Sequence, residues 1–151
     1  MPQSFTAVYI HLVFSTKGRQ PFLRESVTRQ ALHNFIGGVS KTLDCPPTLI
    51  GGTEDHVHVL AGLGRTITQA DWVKELKRAS NLWLKRREQA YADFQWQAGY
   101  ATFSVSRSNV EKVRQYIADQ EEHHRKRSFQ DELRDLLRSH NLEWDERYVW
   151  D

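Results

Sequence analysis

The sequence predicts an α+β fold: a ferredoxin-like split βαβ antiparallel sheet in the order βαββαβ, with helices on one face. The run 5–15 is β-branched and aromatic throughout, which is typical of a strand that is buried on both faces. The stretches 24–42 and 68–87 place apolar residues at helical spacing. Three further stretches have the composition of strands: 48–50, the part of 52–62 that contains His56, and 100–105.

Local patterns define the first helix and the hairpin after it. The apolar residues of the helix recur every three or four positions, at Val27, Ala31, Leu32, Phe35, Ile36 and Val39. The segment 44–47 ends the helix, because its two consecutive prolines cannot continue one. Residues 51–53 have the composition of a turn, so the flanking strands should form a hairpin.

The later helices begin at capping residues. Thr68 is followed by Asp71 in a pattern that resembles a capping box with a shorter acid. The inward side chains of the helix that follows are Trp72, Val73, Leu76, Leu82 and Trp83. Ser108 and Glu111 form a full capping box, and Ser128 opens one more helix. We therefore predict a sheet of four strands followed by two further helices.

The length predicts one domain with an extension. A chain of 151 residues can bury one core, and its 39% apolar and 26% charged residues are typical of a globular protein. We expect a domain over 1–127 and a C-terminal helical extension over 128–151 that packs on the domain or on a partner. Cys45 is the single cysteine, which excludes an intrachain disulfide and an all-cysteine metal site.

Several classes of function are excluded by missing patterns. No apolar run approaches the roughly 20 residues of a membrane span, and no export signal is visible, so we expect a cytoplasmic protein without a membrane partner. The sequence lacks a glycine-lysine phosphate loop and a dinucleotide fingerprint, so no nucleotide cofactor is expected. The formal net charge is only +2, so binding to nucleic acid must depend on clustered cations.

Such a cluster lies on the second helix. Its cations are Lys74, Lys77, Arg78, Lys85, Arg86 and Arg87. A stripe of this kind is either a solvated helix face or a surface that contacts phosphates. Two more cations lie in the loop after the first strand, and the candidates for phosphate contact are Lys17, Arg19, Lys77, Arg78 and Lys85. Trp96 could pack in the core or stack on a base.

His56 and His58 are candidate metal ligands. Side chains alternate along a strand, so both imidazoles project from one face while Val57 and Val59 project from the other. If the valines face the first two helices, the histidines lie on the opposite face. Two histidines at this spacing suit a divalent metal, although a solvated strand face has the same pattern.

Tyr116 and Gln120 lie one turn apart on the helix that remains to cross that face. Two imidazoles and an amide oxygen leave positions for phosphate oxygens around Mg²⁺ or Mn²⁺. A tyrosine hydroxyl beside such an ion could attack phosphorus, and a nucleic-acid 3′-OH could later reverse the step. The simpler alternative is that Tyr116 packs at the edge of the core.

Other polar residues near these positions have structural explanations. Asp55 is expected in a turn, and His11 is expected to be a packed strand residue. His123 and His124 could approach the metal or DNA, but a surface position at a helix end is the simpler expectation. The sequence does not identify a general base.

Five segments of the chain carry a resemblance to a known family: YIHLVFSTKGRQPFL, EDHVHVLAGL, VKELKRASNLWLK, WQAGYATFSVS and VEKVRQYIADQEEHH. They resemble the single-tyrosine transposases of bacterial insertion sequences. These form the IS200-like branch of the HUH (His-hydrophobic-His) nucleases, which includes the REP-associated tyrosine transposases. Together the five segments cover about residues 5–124 in the expected order. Glu54 stands where relatives often have proline, which we interpret as a change of turn.

The resemblance implies that the protein cleaves and rejoins single-stranded DNA beside an imperfect hairpin. It assigns a 5′-phosphotyrosine intermediate to Tyr116, and the metal-ligand positions to His56, His58 and Gln120. It also implies a homodimer in which the tyrosine helix can complete the partner's site. Two other hypotheses remain: a non-catalytic or domesticated hairpin-binding protein of the same fold, and a hydrolytic phosphodiesterase, which would need a second histidine motif.

Overall fold

The four strands form one antiparallel sheet in the computed structural model, which describes residues 2–151. The strands are β1 (Tyr9–Ser15), β2 (Pro47–Gly52), β3 (His56–Gly62) and β4 (Ala101–Val105). Their spatial order is β2-β3-β1-β4, and every neighbouring pair is antiparallel. This order is that of a split βαβ sheet, so the predicted fold class is confirmed.

Two long helices, α1 (Ser26–Thr42) and α2 (Gln69–Arg87), cover one face of the sheet. Their apolar side chains share one buried cluster with alternate residues of β1 and β3, among them Leu12, Val57 and Val59. Trp72 on α2 is fully buried and donates its indole N–H to Ser40 on α1 at 2.9 Å. The alternation along β3 therefore places its valines in this core.

Three further helices cover the opposite face. Helix α3 (Val110–Ala118) packs through Val110 and Ile117, and α4 (Gln120–His124) follows it directly. Helix α5 (Phe129–Ser139) packs through Phe129, Leu133 and Leu137 against Val13 of β1 and Phe103 of β4. The expectation that only the tyrosine helix crosses this face was incomplete, because α5 shares it.

Some predicted boundaries and faces were wrong. Strand β1 begins at Tyr9, where pairing to both neighbouring strands starts, and Phe5 is 88% exposed. Val27 on α1 is exposed, and on α2 the buried leucine is Leu84, whereas the predicted Leu82 is exposed. Each residue turns the helix by about 100°, so the apolar stripe that faces the core covers only part of each helix.

The turns also differ in detail from the predicted ones. Gly51 and Gly52 belong to β2, and the hairpin turn starts at Thr53, whose N–H donates to the His56 carbonyl. The Thr68 cap is present, with its hydroxyl accepting from the Asp71 N–H at 3.1 Å. The capping box at Ser108 is absent: residues 107–109 form a 3-10 turn, and no side chain caps α3.

Helix α3 crosses β2 so closely that the strand requires glycine there. A Cβ on Gly51 would lie 2.7 Å from the carbonyl oxygen of Ile117. Gly52 has φ +152°, and a Cβ there would meet the His56 carbonyl oxygen at 2.2 Å. Gly51 therefore lets α3 approach β2, and Gly52 lets the β2–β3 hairpin close. Among residues 2–151, no helix is long and apolar enough to cross a membrane.

Candidate active site

Strand β3 presents two buried imidazoles to the face that α3, α4 and α5 cover. His56 and His58 are both fully buried, and they alternate with the core residues Val57 and Val59. In the sheet His58 lies opposite Val13 and His56 lies opposite Ser15 of β1. The pleat of a central strand thus fixes the direction of both rings.

Helices α3 and α4 bring two more polar side chains to these rings. Ile117 is buried against the sheet, which anchors the turn that carries Tyr116 and Gln120. The Gln120 side chain is 1% exposed, and its Oε1 lies 2.9 Å from Nε2 of His56. The Tyr116 ring packs edge-on to His58 with 5.9 Å between centroids.

Glu132 of α5 lies at the centre of this group. One of its carboxylate oxygens accepts from Nε2 of His58 at 3.1 Å and from Nε2 of His124 at 3.0 Å. The other oxygen accepts from the Gln120 amide at 2.9 Å and from the Tyr116 hydroxyl. Glu132 is 2% exposed, so these four donors replace the water that an ionised carboxylate would otherwise bind.

Glu132 has no role among the residues that the sequence predicts for this site. The signal that could have found it is its spacing: it follows Phe129 by three positions and precedes Leu133, so it lies on the inward face of α5. Phe129 stacks on the His56 ring with 4.5 Å between centroids, which aligns the first turn of α5 with the site. Ser128 caps that turn by accepting from the Asp131 N–H.

Burial and hydrogen bonding shift the acidities in opposite directions. Burial alone would raise the pKa of Glu132, but the hydrogen bonds from His124 and His58 hold that pKa well below its usual range. Burial, followed by the charge of Glu132, raises the pKa of Tyr116 well above its usual value of 10. Tyr116 is therefore a protonated donor to Glu132 in this arrangement.

Nε2 of His56 and Oε1 of Gln120 are close enough to need a cation or a proton between them. Asp55 accepts from Nδ1 of His56 at 2.8 Å, so Nε2 can direct its lone pair towards Oε1 of Gln120. The Gln120 oxygen is held in that direction because its amide nitrogen donates to Glu132. Two acceptors 2.9 Å apart repel one another unless a positive charge lies between them.

The same atoms fit a divalent metal ion. Ligand atoms of His56, His58 and Glu132 all lie within 4.8 Å of one another, and Gln120 adds an amide oxygen. Two imidazoles with two oxygen donors are a mixed set that Mg²⁺ or Mn²⁺ accepts. The donor chemistry and the repulsion between acceptors therefore both fit the cation that the sequence predicts.

The chain matches the family model "Transposase IS200 like" over residues 4–120. This protein belongs to the IS200-like transposase family. The match contains the histidine pair, Tyr116 and Gln120, and it ends before Glu132. A transposase of this family is a DNA-processing enzyme, and no curated protein matches the chain.

Two solved structures share the fold. One is a candidate transposase from Deinococcus radiodurans R1, which is 22% identical and aligns over 80% of this chain and 96% of its own, with a TM-score of 0.58. The other is a REP-associated tyrosine transposase bound to a REP hairpin. It is 12% identical and aligns over 82% of this chain and 74% of its own, also with a TM-score of 0.58.

The cations that could contact DNA lie outside the buried site of this transposase. Lys85 and Arg78 line a cleft of about 460 Å³ between α2 and residues 95–100. The 3-10 turn that carries the exposed Lys17 and Arg19 follows β1, and its first N–H donates to the Gln95 carbonyl at 2.8 Å. Arg78 also pairs with Glu75 on the same helix.

Lys77 has a structural environment that the sequence analysis did not predict. Its ammonium donates to the carbonyls of Gln97, Ala98 and Gly99 at 2.9, 3.3 and 2.6 Å, and burial lowers its pKa to about 8. Three carbonyls use all three of its protons, so none is free for a phosphate. Among the five cations predicted to contact phosphate, Lys77 instead holds a loop on α2.

Three further residues now have defined positions. Trp96 is a core residue: it packs edge-on against Phe14 and donates to Ser80 at 3.0 Å. The surface position expected for His124 was wrong, because α4 turns its ring into the site and onto Glu132. His123 lies 3.7 Å from the same carboxylate.

Proposed function

We propose that this transposase cleaves and rejoins single-stranded DNA beside hairpins through a 5′-phosphotyrosine on Tyr116. The observation that carries the proposal is the convergence of Tyr116, His56, His58 and Gln120 on one buried point. These residues come from segments about 60 positions apart in the sequence, and local packing alone does not require four polar groups to meet.

His56, His58 and Gln120 would hold the divalent ion, with Glu132 as a fourth oxygen donor. When bound, Mg²⁺ or Mn²⁺ supplies Lewis acidity that polarises the phosphodiester. Asp55 keeps the Nε2 lone pair of His56 directed at the ion's position, because a carboxylate can only accept from Nδ1.

Tyr116 would act as the nucleophile. Its phenolic oxygen forms a bond to phosphorus, the bond from phosphorus to the 3′ oxygen breaks, and that oxygen takes up a proton. The phenol must lose its proton, and Glu132 is the group to which its hydroxyl donates. Attack by a 3′-OH on the phosphotyrosine reverses the sequence, so joining needs no added energy source.

Affinity for DNA would come from the cations near the cleft, above all Lys85, Arg78, Lys17 and Arg19. They lie at the surface, where neutralising phosphates releases counterions. We retain the homodimer as a prediction. One chain already brings Tyr116 to its own histidine pair, so assembly of the site in cis is the arrangement to test first.

The decisive experiment incubates the protein with labelled single-stranded hairpin DNA and Mg²⁺ or Mn²⁺, then looks for an adduct that survives denaturation. The wild type should form it, and Tyr116→Phe should not. Tyr148→Phe is the matched control, because that tyrosine is exposed and lies outside the site. His56→Ala should lose the adduct but retain much of the DNA binding.

A second candidate is a non-catalytic protein that binds the same hairpins. The observation that favours it is the contact between Glu132 and Tyr116, which keeps the hydroxyl protonated. This candidate predicts that the protein binds hairpins but forms no adduct, with either Mg²⁺ or Mn²⁺ and also in the variant Glu132→Gln. Formation of an adduct by the wild type or by Glu132→Gln would refute it.

A further inference from the structure

The two candidate ligand histidines differ in the partner of their other ring nitrogen. Nδ1 of His56 lies 2.8 Å from the Asp55 carboxylate, whereas Nδ1 of His58 lies 2.8 Å from Nε2 of His11. The His11 ring is 3% exposed and stacks on the His58 ring with 5.0 Å between centroids. His11 lies on β1, opposite Leu60 of β3, so the sheet register fixes this contact.

The difference determines which tautomers each ring can adopt. A carboxylate only accepts hydrogen bonds, so Asp55 restricts His56 to the form with a proton on Nδ1. A neutral imidazole carries one donor and one acceptor, so His11 can satisfy either tautomer of His58. The His11 and His58 rings are both buried, and burial disfavours a charged imidazole.

Glu132 selects one tautomer of His58 in this structure. Its carboxylate lies 3.1 Å from Nε2 of His58 and can only accept, so Nε2 carries the proton. Nδ1 of His58 then accepts from Nε2–H of His11. A ring that ligates a metal through Nε2 needs the opposite tautomer, with the proton on Nδ1.

We propose that His11 is a positioning residue that lets His58 exchange between these two tautomers without losing its hydrogen bond. In the exchange, His58 loses its Nε2 proton to water and receives the Nε2 proton of His11 on its own Nδ1. His11 takes a proton from water on its Nδ1, so neither ring changes its net charge. His11 lines an open cleft of about 400 Å³, which is the route by which solvent can reach the ring.

This inference rests on the metal site of the proposed function, and it applies to His58 alone. His56 needs no exchange, because Asp55 already holds it in the ligating tautomer. His56 therefore serves as an internal control. On metal binding, His58 should change its tautomer, and His56 should keep its proton on Nδ1.

Multiple-bond ¹H–¹⁵N NMR of the full ¹⁵N-labelled chain, recorded without metal and with Mg²⁺, tests the proposal. We expect His58 to change from a proton on Nε2 to a proton on Nδ1, while His56 keeps Nδ1–H. The proposal is overturned if His58 carries Nδ1–H before Mg²⁺ is added, or if Mg²⁺ shifts the Gln120 side-chain amide while His58 stays unchanged. A protein that binds no Mg²⁺ or Mn²⁺ would overturn both this inference and the metal-assisted mechanism.

Two variants distinguish positioning from packing. His11→Phe keeps a ring but removes the hydrogen bond, so we expect Mg²⁺ affinity to fall by about 10- to 100-fold. His11→Gln keeps a group that can donate or accept, so it should recover most of that affinity. Equal losses in both variants, measured by titration calorimetry on protein with a native-like metal-free spectrum, would assign His11 a packing role. Retained adduct formation with unchanged Mg²⁺ affinity in His11→Phe would leave the transposase mechanism intact and refute this inference.

Discussion

Replacing Glu132 with glutamine should destabilise the protein by about 2–4 kcal/mol at pH 7. The carboxylate accepts from His58 and His124 on one oxygen, and from Tyr116 and Gln120 on the other. Glutamine converts one of these oxygens into an NH₂ group, so each donor on that side either loses its acceptor or, as the Tyr116 hydroxyl and a neutral imidazole can, turns into an acceptor. One buried donor left without an acceptor costs about 1–3 kcal/mol, and the lost charge weakens the remaining hydrogen bonds by about 1 kcal/mol, which together give the expected total.

The pH dependence of this difference has a defined sign. The folded-state pKa of Glu132 is depressed, so the carboxylate stabilises the fold at any pH above the unfolded value of about 4.3. That contribution is lost progressively as the pH falls below this value. The difference in the free energy of unfolding between wild type and Glu132→Gln should therefore have its full value at pH 7 and decrease in stronger acid.

Urea denaturation followed by tryptophan fluorescence measures the effect, since Trp144 and Trp150 pack on the cluster that contains α5. The matched control is Asp131→Asn, which changes an adjacent carboxylate whose side chain is 58% exposed. We expect the control to lie within about 0.5 kcal/mol of the wild type. If Glu132→Gln is as stable as Asp131→Asn, Glu132 does not hold α5 on the site, and our account of its hydrogen bonds is wrong.

Three further predictions follow from single positions. Lys85→Met should reduce the slope of log affinity against log salt, measured by fluorescence anisotropy with hairpin DNA, by about 0.7–0.9. Lys77→Met should leave that slope unchanged and lower the stability of the fold. A changed slope in Lys77→Met would contradict the role of Lys77 in holding the loop. Burial lowers the pKa of His33 to about 4, so protonation of the unfolded chain destabilises the fold as the pH falls through 6.5 towards 4. Between pH 7 and pH 5, the free energy of unfolding of His33→Leu, measured by urea titration, should fall by about 2 kcal/mol less than that of the wild type. Equal decreases in the two proteins would refute this prediction. Gly51→Ala should lower the free energy of unfolding by about 1–3 kcal/mol, because its Cβ would meet the Ile117 carbonyl. Gly38→Ala should be neutral or stabilising, because the space around its Cβ is open. Similar stabilities of the two variants would argue against the close crossing of α3 over β2.

The parts of the site that the sequence predicts depend on short-range periodicity. The alternation of β3 places His56 and His58 together, and helical spacing places Tyr116 and Gln120 one turn apart. The choice of face then follows from the buried valines, because a sheet has only two faces. The structure brings all four residues together on that face, although Gln120 begins α4 and does not share the helix of Tyr116, and their roles in chemistry remain proposals.

The parts that the sequence does not predict depend on tertiary contacts. Glu132 lies 74 positions after His58, and its helical spacing marks an inward position without showing which distant segment it contacts. Lys77 belongs to a basic stripe, yet three carbonyls of a distant loop take up its ammonium group. Both residues have unremarkable local patterns, and only the approach of another segment defines what they contact.

Glu132 connects α5 to the candidate site. Helix α5 is fixed by its apolar stripe and by the Ser128 cap, and these bring the Glu132 carboxylate between the histidines and Tyr116. A tail that the sequence describes as an extension therefore supplies one of the candidate metal ligands. The family match ends at residue 120, so this ligand lies outside the part of the chain that the family model describes.

The most direct test of the central claim is to locate the covalent bond to DNA. The wild-type protein is reacted with a hairpin substrate and Mn²⁺, digested with nuclease and protease, and the peptide that carries the nucleotide is sequenced by mass spectrometry. We predict a phosphodiester on Tyr116, attached to the 5′ end of the cleaved strand. A nucleotide on another residue, such as Tyr100 or Tyr148, or cleavage of the hairpin without any covalent peptide, would contradict the account.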